Sequence, residues 1–520
     1  MENDLIDESV DTRELSLCLL KEHKELSGFN LTLKEDNTYL RTEVERLSFS
    51  LLKFQRAIFG PSSEKDNKQR SEPITFDEED TKDIDNDLDE ADSVISIKGH
   101  TRKKHGLSKD LPRKTIVHEL DGEQALCSCG CELSKIGEDK YEQLNYIPAV
   151  LEVTEHIKYK YACKNCSNTI RTAKPPTQPI PKSIATPGLL AYILVSKYRD
   201  HLPLYRQEQM LASIGANLPR SLLSRWMVKV GNLITPLINL LKEKLLDSNY
   251  IQADETPVQV LNEKDKSATS KSYIWLYKTG IDENGIAIYE YQPNRKSENA
   301  EKFLNIFLGH LQADGYAGYD RICSKDGIVR LGCLAHARRK FIDIAKSSKG
   351  GKAETAVNFI KKLYKIESNI SSFTNEKKLA IRQEKSKPLM MRFIDWLKDL
   401  YPKCPPKGNL AIAINYTLER EASLTEYLNH GHLNIDNNLA ENKIRPFALG
   451  RKNWLFMGNE KSANASCNIY SLLETAKMNG HDIYNYFKYI LEKIPISTEI
   501  SELEELLPMN LSPESTKPGN

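Results

Sequence analysis

The first regular pattern along the chain is a seven-residue repeat of large apolar side chains within residues 15–59. The repeat positions hold Leu19, Leu26, Leu33, Leu40, Leu47 and Phe54. The positions four residues after each are mixed, and hold His23, Asn30, Asn37, Val44, Leu51 and Ile58. Such a heptad pattern is typical of a coiled coil, in which asparagine in the core fixes register and favours two strands. We therefore predict a leucine-zipper-like coiled-coil helix in residues 1–60 that joins two copies of the chain; the alternative is an amphipathic helix packed on its own chain.

A helical period returns in residues 181–246, after a proline-rich segment. Within it, RQEQMLASIGANLPRSLLSRWM at 206–227 places two helical stretches on either side of a short turn that contains Gly215. This order is typical of a helix-turn-helix, whose second helix enters the major groove of DNA. Ser221, Ser224 and Arg225 would then begin or line the recognition helix. A plain helical hairpin is the alternative interpretation.

The period changes to that of strands from residue 250 onward. YIQADETPVQVL, KSYIWLYKTG and GIAIYEYQPN predict three strands with turn residues between them. SENAEKFLNIFLGH then predicts a helix, and LQADGYAGYD a fourth strand that ends in a turn. Three strands, a helix and a fourth strand form the opening order of an RNase H-like fold. We assign this domain to residues 247–460, with a helix-rich insertion at about 340–430, and a C-terminal helical element and tail to residues 461–520.

The composition indicates a globular chain without a membrane anchor. It has 520 residues, of which 40% are hydrophobic and 28% charged. A run of about 18 apolar residues, which a membrane-spanning helix needs, does not occur. The N-terminus, MENDLIDESVDTREL, is acidic and lacks the apolar centre of a secretory signal. We therefore expect a cytoplasmic location, where cysteines stay reduced, and no membrane partner.

The net charge of +1 averages two unlike regions. Residues 71–93 carry eleven acidic residues and one basic residue, a local charge of −10, so the rest of the chain carries +11. We predict that residues 61–98 form an acidic, disordered linker. Residues 98–114 hold seven lysines or arginines and one aspartate, which indicates either phosphate contacts or a solvated basic loop. A basic body of this kind suits a protein that binds a polyanion.

Half of the cysteines fall between residues 127 and 166. Two clusters, Cys127, Cys129 and Cys131, then Cys163 and Cys166, flank a segment at 146–163 that alternates like a strand. Cysteine clusters at the ends of β-segments are typical of a zinc ribbon, in which four thiolates hold a structural Zn²⁺. Five cysteines are available for four positions, so the pattern does not say which four bind. We predict a zinc-ribbon-like DNA-binding module in residues 99–180; scattered reduced cysteines are the alternative.

Two segments of the strand region share one form, IQAD at 251–254 and LQAD at 311–314. If the two strands lie side by side, Asp254 and Asp314 meet at one edge of the sheet. Neighbouring carboxylates repel each other unless a divalent cation neutralises them, and Mg²⁺ prefers such hard oxygen ligands. The alternative is two ordinary aspartates that cap turns.

A third carboxylate is available in the segment HLNIDNNLAENKIRPFALGRKNWLF. Glu441 falls in the predicted helix NLAENKIR, with Asp436 just before it. The basic residues that follow are Lys443, Arg445, Arg451 and Lys452. A carboxylate beside a basic cluster suits a metal site that binds phosphate. The alternatives are a helix N-cap for Asp436, which we prefer, and a solvated helix face paired with Arg445 for Glu441.

Several long stretches resemble one family, the insertion-sequence 66 transposases of the DDE superfamily. The matching stretches are SKYRDHLPLYRQ at 196–207, ADETPVQVL at 253–261, LQADGYAGYD at 311–320, GCLAHARRKF at 332–341, DNNLAENKIRPFALGRKNWLF at 436–456 and YSLLETAKMNG at 470–480. The resemblance covers about 120–495, and the N-terminal zipper helix is also typical of the family. It departs from the family at the first cysteine cluster, where Leu126 stands at the expected first ligand and Cys127 beside it.

The resemblance implies a catalytic triad of Asp254, Asp314 and Glu441 that binds Mg²⁺ or Mn²⁺. It implies binding of the element's terminal repeats through residues 98–245, cleavage of DNA at each end, and transfer of the freed 3′-hydroxyl to target DNA. Partners would be DNA, further copies of the chain and small accessory proteins of the same element. A non-catalytic DNA-binding regulator, a nuclease without strand transfer and the product of a decayed element remain as alternatives.

A CxxH pair, Cys333 and His336, lies in one of the matching stretches. It could bind metal, although a second pair is not nearby in the sequence. Alternatively, His336 lies at the edge of the active site, with Arg338 and Arg339 as phosphate contacts. A buried cysteine and a helix-capping histidine form the third possibility.

Overall fold

The computed structural model describes residues 151–162, 170–173, 175–280, 284–346 and 351–516. Several predicted features lie outside these residues: the zipper-like helix 1–60, the linker 61–98, the basic segment 98–114, and Cys127, Cys129, Cys131, Cys163 and Cys166.

A short antiparallel hairpin flanks the second pair of cysteines in the sequence. Strand β1 (Lys160–Ala162) pairs with β2 (Ile170–Thr172). The alternation at 146–163 predicts a longer strand, but residues 151–159 have no regular structure and are exposed. That prediction is wrong for these residues, because a strand is held by its ladder of hydrogen bonds and β2 pairs with only three residues.

Helices α1 to α4 precede the central sheet: α1 (Pro187–Tyr198), α2 (Leu204–Ser213), α3 (Arg220–Leu233) and α4 (Thr235–Leu246). The N-terminus of α1 is capped by Thr186, whose hydroxyl accepts a hydrogen bond from the Leu189 amide at 3.3 Å. Between α2 and α3, Gly215 has a φ of +94°, a left-handed conformation that favours glycine. The predicted order of helix, glycine turn and helix is therefore present.

A mixed six-stranded sheet forms the centre of the described unit. Its strands are β3 (Tyr250–Asn262), β4 (Lys271–Thr279), β5 (Ala287–Gln292), β6 (Gly309–Gln312), β7 (Ile328–Leu331) and β8 (Met457–Asn459). The order is β5–β4–β3–β6–β7, and β8 pairs with β3. Strand β4 is antiparallel to both β3 and β5, whereas β6 and β8 pair with β3 in parallel and β7 pairs with β6 in parallel. The predicted sequence of three strands, a helix and a fourth strand is confirmed, although the helix, α5 (Ser297–Phe303), ends earlier than its apolar pattern predicts.

Helices cover both faces of this sheet. Four consecutive residues of β4, from Ile274 to Tyr277, are fully buried, which requires apolar neighbours above and below the strand. Helix α13 (Asn438–Trp454) packs on β3 and β4, and α14 (Glu460–Met478) packs on β5 and α3. The remaining helices here are α6 (Asp320–Cys323), α15 (Ile483–Lys493) and α16 (Ile500–Glu505).

Helix α14 supports α3 at close range. A Cβ atom on Gly231 of α3 would lie 2.6 Å from the Cβ of Ala465, so only glycine permits this approach. The Asn468 side chain donates a hydrogen bond to the Gly231 carbonyl at 2.9 Å. The position of α3 therefore depends on a helix near the C-terminus.

A helical segment with its own apolar core separates β7 from α13. Its helices are α7 (Leu334–Ala345), α8 (Lys352–Asn369), α9 (Asn375–Ile381), α10 (Lys387–Leu400), α11 (Asn409–Leu418) and α12 (Glu421–Thr425). A π-helix (Arg382–Ser386) joins α9 to α10, and a 3₁₀ turn (Glu426–Asn429) follows α12. Leu363, Phe393 and Ile394 are among the residues at its centre. The predicted helix-rich character of 340–430 is confirmed.

Among the helices of the described residues, none has both the length and the apolar character that crossing a membrane requires.

Candidate active site

The two aspartates of the IQAD and LQAD segments come from neighbouring parallel strands in matching register: Asp254 lies within β3, and Asp314 lies two residues after the end of β6. Gln252 of β3 is the pairing partner of Gln312 of β6. Asp254 and Asp314 each follow two residues later, so the register carries both to the same place along the sheet. The Asp254 carboxylate accepts a hydrogen bond from the Glu255 amide, and the Asp314 carboxylate accepts one from the Tyr316 amide, both at 2.9 Å. The side-by-side arrangement predicted from the two sequences is therefore present.

The start of α13 is tied to the same strands, which brings Glu441 to the aspartates. The Asn437 side chain donates to the Ala253 carbonyl at 2.9 Å, next to Asp254. The Gln252 side chain donates to the carbonyl of Asp436 at 3.2 Å. Asp254, Asp314 and Glu441 are close enough for each to act electrostatically on another, and the three form what we call the carboxylate triad.

Burial and mutual repulsion disfavour the ionised forms of Asp254 and Glu441. Burial raises the pKa of Asp254 well above its usual value, and the nearby Glu255, Glu441 and Asp314 raise it further. Burial also raises the pKa of Glu441 to about 7, although Arg339 opposes the shift. Oε1 of Glu441 is buried and has no hydrogen-bond partner among the described residues. Hard, partly unsatisfied carboxylate oxygens of this kind fit a divalent cation such as Mg²⁺.

The structure corrects two alternatives for the helix that carries the glutamate. Glu441 is only 8% exposed and its neighbours are His336 and Arg339, so it does not belong to a solvated helix face. Asp436 precedes the N-cap residue, Asn437, rather than being the cap itself. Its carboxylate accepts hydrogen bonds from the Asn438 amide at 3.1 Å and from the Tyr364 hydroxyl at 2.7 Å. Asp436 therefore fastens the start of α13 to the helical segment.

His336 and Arg339 reach the triad from α7. Nδ1 of His336 lies 3.5 Å from Oε1 of Glu441, and the Arg339 guanidinium lies 3.6 Å from Oε2. Burial, together with Arg339, lowers the pKa of His336 to about 4, so the imidazole is neutral at neutral pH. The contact between His336 and Glu441 is therefore not an ion pair. Arg338 lies near a different residue, Tyr364, whose hydroxyl is hydrogen-bonded to Asp436. The charge of Arg338 opposes the rise that burial causes in the pKa of Tyr364.

The CxxH pair gains a third potential ligand from the fold. A sulfur of Cys333, a ring nitrogen of His336 and an oxygen of Glu441 lie within 4.8 Å of one another. Burial raises the pKa of Cys333 well above its usual value, and its sulfur accepts a hydrogen bond from the Asn437 amide at 3.3 Å. In the arrangement seen here, the thiol is buried and packs against the start of α13.

The remaining basic candidates occupy different surroundings. Arg451 donates hydrogen bonds to the Thr256 hydroxyl at 3.1 Å and to the Pro257 carbonyl, and so holds the last turn of α13 on β3. Lys452 is exposed, and Arg445 is half-buried on the same helix. Arg225 is exposed on α3, as are Ser221 and Ser224. Its face of the helix is therefore open to solvent, whereas Leu223 and Trp226 fill the core.

Sequence reasoning missed Glu255, a fourth carboxylate next to Asp254. Its side chain is 2% exposed and accepts hydrogen bonds from Arg295 Nε at 2.7 Å and from the Tyr319 hydroxyl at 2.6 Å. Burial raises the pKa of Glu255 although Arg295 opposes the shift. The available signal was a second acidic residue directly after Asp254 in the same predicted strand.

Sequence reasoning also missed two arginines beside Asp314. A cavity of about 340 Å³ opens there, and its walls include Asp314, Arg330, Tyr416 and Arg420. Arg330 donates to the Asp314 carbonyl at 2.6 Å, and Arg420 donates to the Gly315 carbonyl at 3.3 Å. Two guanidinium groups are thus fixed next to the triad, as a site for a phosphate group requires.

The chain matches models of a class of proteins that move DNA segments, the transposases. A model described as "Transposase IS66 family" matches residues 182–465, which is more than half of the chain and includes the whole carboxylate triad. The chain therefore belongs to the IS66 family of transposases.

Three further models match other parts of the chain. The zinc-finger binding domain of transposase IS66 matches residues 124–167, which contain all five candidate zinc ligands. The IS66 C-terminal element matches residues 471–509, and a model described as "Transposase C of IS166 homeodomain" matches residues 46–116. These matches support structural zinc and DNA as a partner.

The chain is similar to several proteins of Sinorhizobium fredii (strain NBRC 101917 / NGR234). It is 34% identical to uncharacterized protein y4jD over 418 residues, which cover 78% of this chain and 81% of the relative. It is 32% identical to uncharacterized protein y4qI over 427 residues, which cover 80% of this chain and 78% of the relative. The similarity extends over most of each protein.

Proposed function

We propose that this transposase cuts and joins DNA at the ends of its insertion sequence by a Mg²⁺-dependent DDE mechanism in an RNase H-like domain. The observation that carries the proposal is the convergence of three carboxylates, from β3, the end of β6 and α13, on one part of the sheet. A protein that only bound DNA would gain nothing from the electrostatic cost of this arrangement.

The sheet supports the RNase H-like assignment. Three antiparallel strands are followed, after a helix, by two strands parallel to the first, in the order β5–β4–β3–β6–β7. In this order, the first strand lies at the centre and the fourth beside it, so the residues that follow them meet. The first aspartate, Asp254, lies on the central strand β3, and the second, Asp314, lies just after the parallel strand β6.

The residues that would hold the cation are Asp254, Asp314 and Glu441. When bound, Mg²⁺ or Mn²⁺ would supply Lewis-acid chemistry, favouring the ionised form of an attacking oxygen and stabilising the leaving one. The chain's own part is to hold three oxygen donors in place. Asn437, Gln252 and Gln312 do this through hydrogen bonds that fix α13 against the strands.

Arg330 and Arg420 would position the DNA backbone in the cavity beside Asp314. In cleavage, water attacks the phosphorus at the element end, the bond to the 3′-oxygen breaks, and that oxygen leaves as a 3′-hydroxyl. In joining, this hydroxyl loses its proton and attacks a phosphorus of target DNA, whose own 3′-oxygen leaves. Neutral His336, 3.5 Å from Glu441, would help to hold that carboxylate in place without adding a charge.

The other parts of the chain would bring the DNA ends to this site. The zinc module and α3 would bind the terminal repeats. Four of the five cysteines would hold the zinc ion of this module, and Arg225 is exposed on α3. Lys452 and Arg445 would extend the basic surface along α13. The heptad helix would pair two protomers, each with one element end, and accessory proteins of the element would act with them. We expect these reactions to take place in the cytoplasm, where the DNA of a bacterium is located.

A joining assay tests the proposal. The purified protein is incubated with Mg²⁺, labelled DNA that carries precut element ends, and a supercoiled target plasmid. We expect joined product from the wild-type protein and from Glu492→Gln, a variant at an exposed glutamate outside the site. Glu441→Gln should bind ends normally and give no joined product.

Each other outcome selects a different function. Cleavage of uncut ends without joining would favour a nuclease. The wild type could also bind ends without cutting or joining them, as Glu441→Gln should. If addition of the element's accessory proteins did not restore the reaction, this result would favour a DNA-binding regulator. Joining by Glu441→Gln would overturn the triad.

A further inference from the structure

We propose that His310, Glu426 and His430 form a second metal site, one that binds a transition-metal ion such as Zn²⁺. His310 lies on β6, Glu426 lies in the 3₁₀ turn after α12, and His430 directly follows this turn. One donor atom from each lies within 4.8 Å of the other two. The inference is independent of the proposed cutting and joining of DNA.

The distances from the carboxylate oxygen to the two imidazole nitrogens are close to those of a tetrahedral zinc site. Nε2 of His310 lies 3.5 Å from Oε1 of Glu426, and Nε2 of His430 lies 3.3 Å from the same oxygen. Two ligands that are each ~2.0–2.1 Å from a tetrahedral ion stand about 3.3–3.4 Å apart. An ion could therefore be held by these three atoms with little movement of the side chains.

The neighbourhood of the cluster also favours metal ligation. The rings of His310 and His430 lie 4.6 Å apart, and neutral imidazole is the commonest metal ligand in proteins. A third imidazole is close: the His432 ring lies 6.0 Å from the ring of His310 and 5.5 Å from that of His430. Nε2 of His432 is buried and has no hydrogen-bond partner among the described residues. His432 or water would complete the coordination.

This cluster differs from the carboxylate triad in place and in chemistry. His310 is four residues before Asp314, which along a strand corresponds to ~13 Å. Two or three imidazoles with one carboxylate select Zn²⁺ and similar ions, whereas three carboxylates suit Mg²⁺. The two sites would therefore take up different metals.

A metal at the cluster would link β6 to the segment that leads into α13. β6 precedes Asp314 directly, and the loop after His430 continues to Asn437 and Glu441. With three protein ligands fixed, the ion would restrict this loop relative to the sheet. The expected role is therefore structural, in holding the elements that carry two members of the triad.

Zinc content per chain tests the proposal. Full-length protein is dialysed against buffered Zn²⁺, and bound zinc is measured by mass spectrometry. The double variant His310→Gln/His430→Gln should hold one equivalent less than the wild type. Glu426→Gln should bind this equivalent more weakly, and Glu492→Gln should not differ from the wild type. Equal zinc in the wild type and a folded double variant would overturn the proposal.

The wild-type protein decides the matter if the variants fail to fold. X-ray absorption of the zinc-loaded protein should show nitrogen and oxygen neighbours at ~2.0–2.1 Å beside the thiolates at ~2.3 Å of the zinc module. A shell of sulfur alone would overturn the proposal.

Discussion

The Gln252 side chain donates a hydrogen bond to the side-chain oxygen of Gln312 at 2.7 Å, between residues that are register partners on β3 and β6. The Tyr250 hydroxyl donates to the same oxygen at 2.5 Å. Gln312 in turn donates to the carbonyls of Asn434 and Gly332, both at 3.0 Å. The repeated glutamine of IQAD and LQAD thus forms a buried polar link between the two aspartate strands and the loop that leads to the glutamate.

Replacement of Gln312 by leucine should therefore cost stability and slow catalysis. Several buried groups would be left without a hydrogen-bond partner, and each unsatisfied group costs ~1–3 kcal/mol. We expect the free energy of unfolding in urea to fall by about 2 kcal/mol. The rate of DNA joining per folded molecule should fall as well, because the loop before α13 would be less firmly held.

Gln259→Leu is the matched control, since this glutamine lies on the same strand as Gln252 but bonds an exposed loop carbonyl. A similar destabilisation in both variants, or a joining rate that fell only with the folded fraction, would show that the glutamine link does not position the triad.

Asp254→Asn should stabilise the protein when metal is absent. The variant removes a buried charge that Glu255, Glu441 and Asp314 all repel. In EDTA at neutral pH, we expect its free energy of unfolding to exceed that of the wild type. Addition of Mg²⁺ should then stabilise the wild type and leave the variant unchanged, because a ligand stabilises only the state that binds it. Equal stabilisation of both proteins by Mg²⁺ would exclude Asp254 as a ligand.

Arg225→Ala should weaken binding of the element's ends in a salt-dependent manner. Removing one cation that neutralises a DNA phosphate reduces the slope of log affinity against log salt by about 0.9. Fluorescence anisotropy with labelled end DNA at several salt concentrations measures this slope. Arg392→Ala, at an exposed arginine of α10, should leave the slope as it is. The same change in both variants, or none in either, would remove α3 from the DNA interface.

The free energy of unfolding should rise at alkaline pH because of Lys197. Burial lowers the pKa of this lysine from 10.5 to about 8, beside the rings of Tyr198 and Trp454. Between these values, the unfolded chain binds a proton that the folded chain has lost, so the free energy of unfolding increases with pH. The gain should be on the order of 1–2 kcal/mol, since one pKa unit corresponds to ~1.4 kcal/mol and the side chain is partly solvated.

The Lys197→Met protein provides the comparison. Urea unfolding of both proteins between pH 7 and pH 10 should give curves that converge as the pH rises, with the wild type gaining stability relative to the variant. Parallel curves would mean that the ammonium group is charged in the folded protein throughout this range.

Local patterns in the sequence predicted the elements that carry the site. The strand period around IQAD and LQAD was sufficient to expect that the two strands lie side by side, and the pairing of Gln252 with Gln312 confirms it. The expectation that the first strand ends at its aspartate is wrong, because β3 continues past Asp254 to Asn262. The turn at Gly215 between two helices was also predictable, because glycine tolerates the left-handed backbone found there.

Contacts between distant segments could not be predicted in this way. His336 and Glu441 meet because a helical segment folds back on the sheet, and no periodicity encodes that path. His310 and His430 are 120 residues apart in the sequence, and no local pattern indicates that their rings meet. The predicted strand at 151–159 failed for a related reason, since a strand needs a partner that alternation alone does not supply.

The dependence of α3 on α14 has a genetic consequence. A stop codon shortly after Glu441 would leave all three triad carboxylates, the candidate zinc cysteines and helices α2 and α3 in the translated product. It would nevertheless remove Ala465 and Asn468, against which Gly231 of α3 is packed, and the helix that covers β5. A copy of the gene shortened only near its 3′ end would then be inactivated as fully as one with a mutated aspartate.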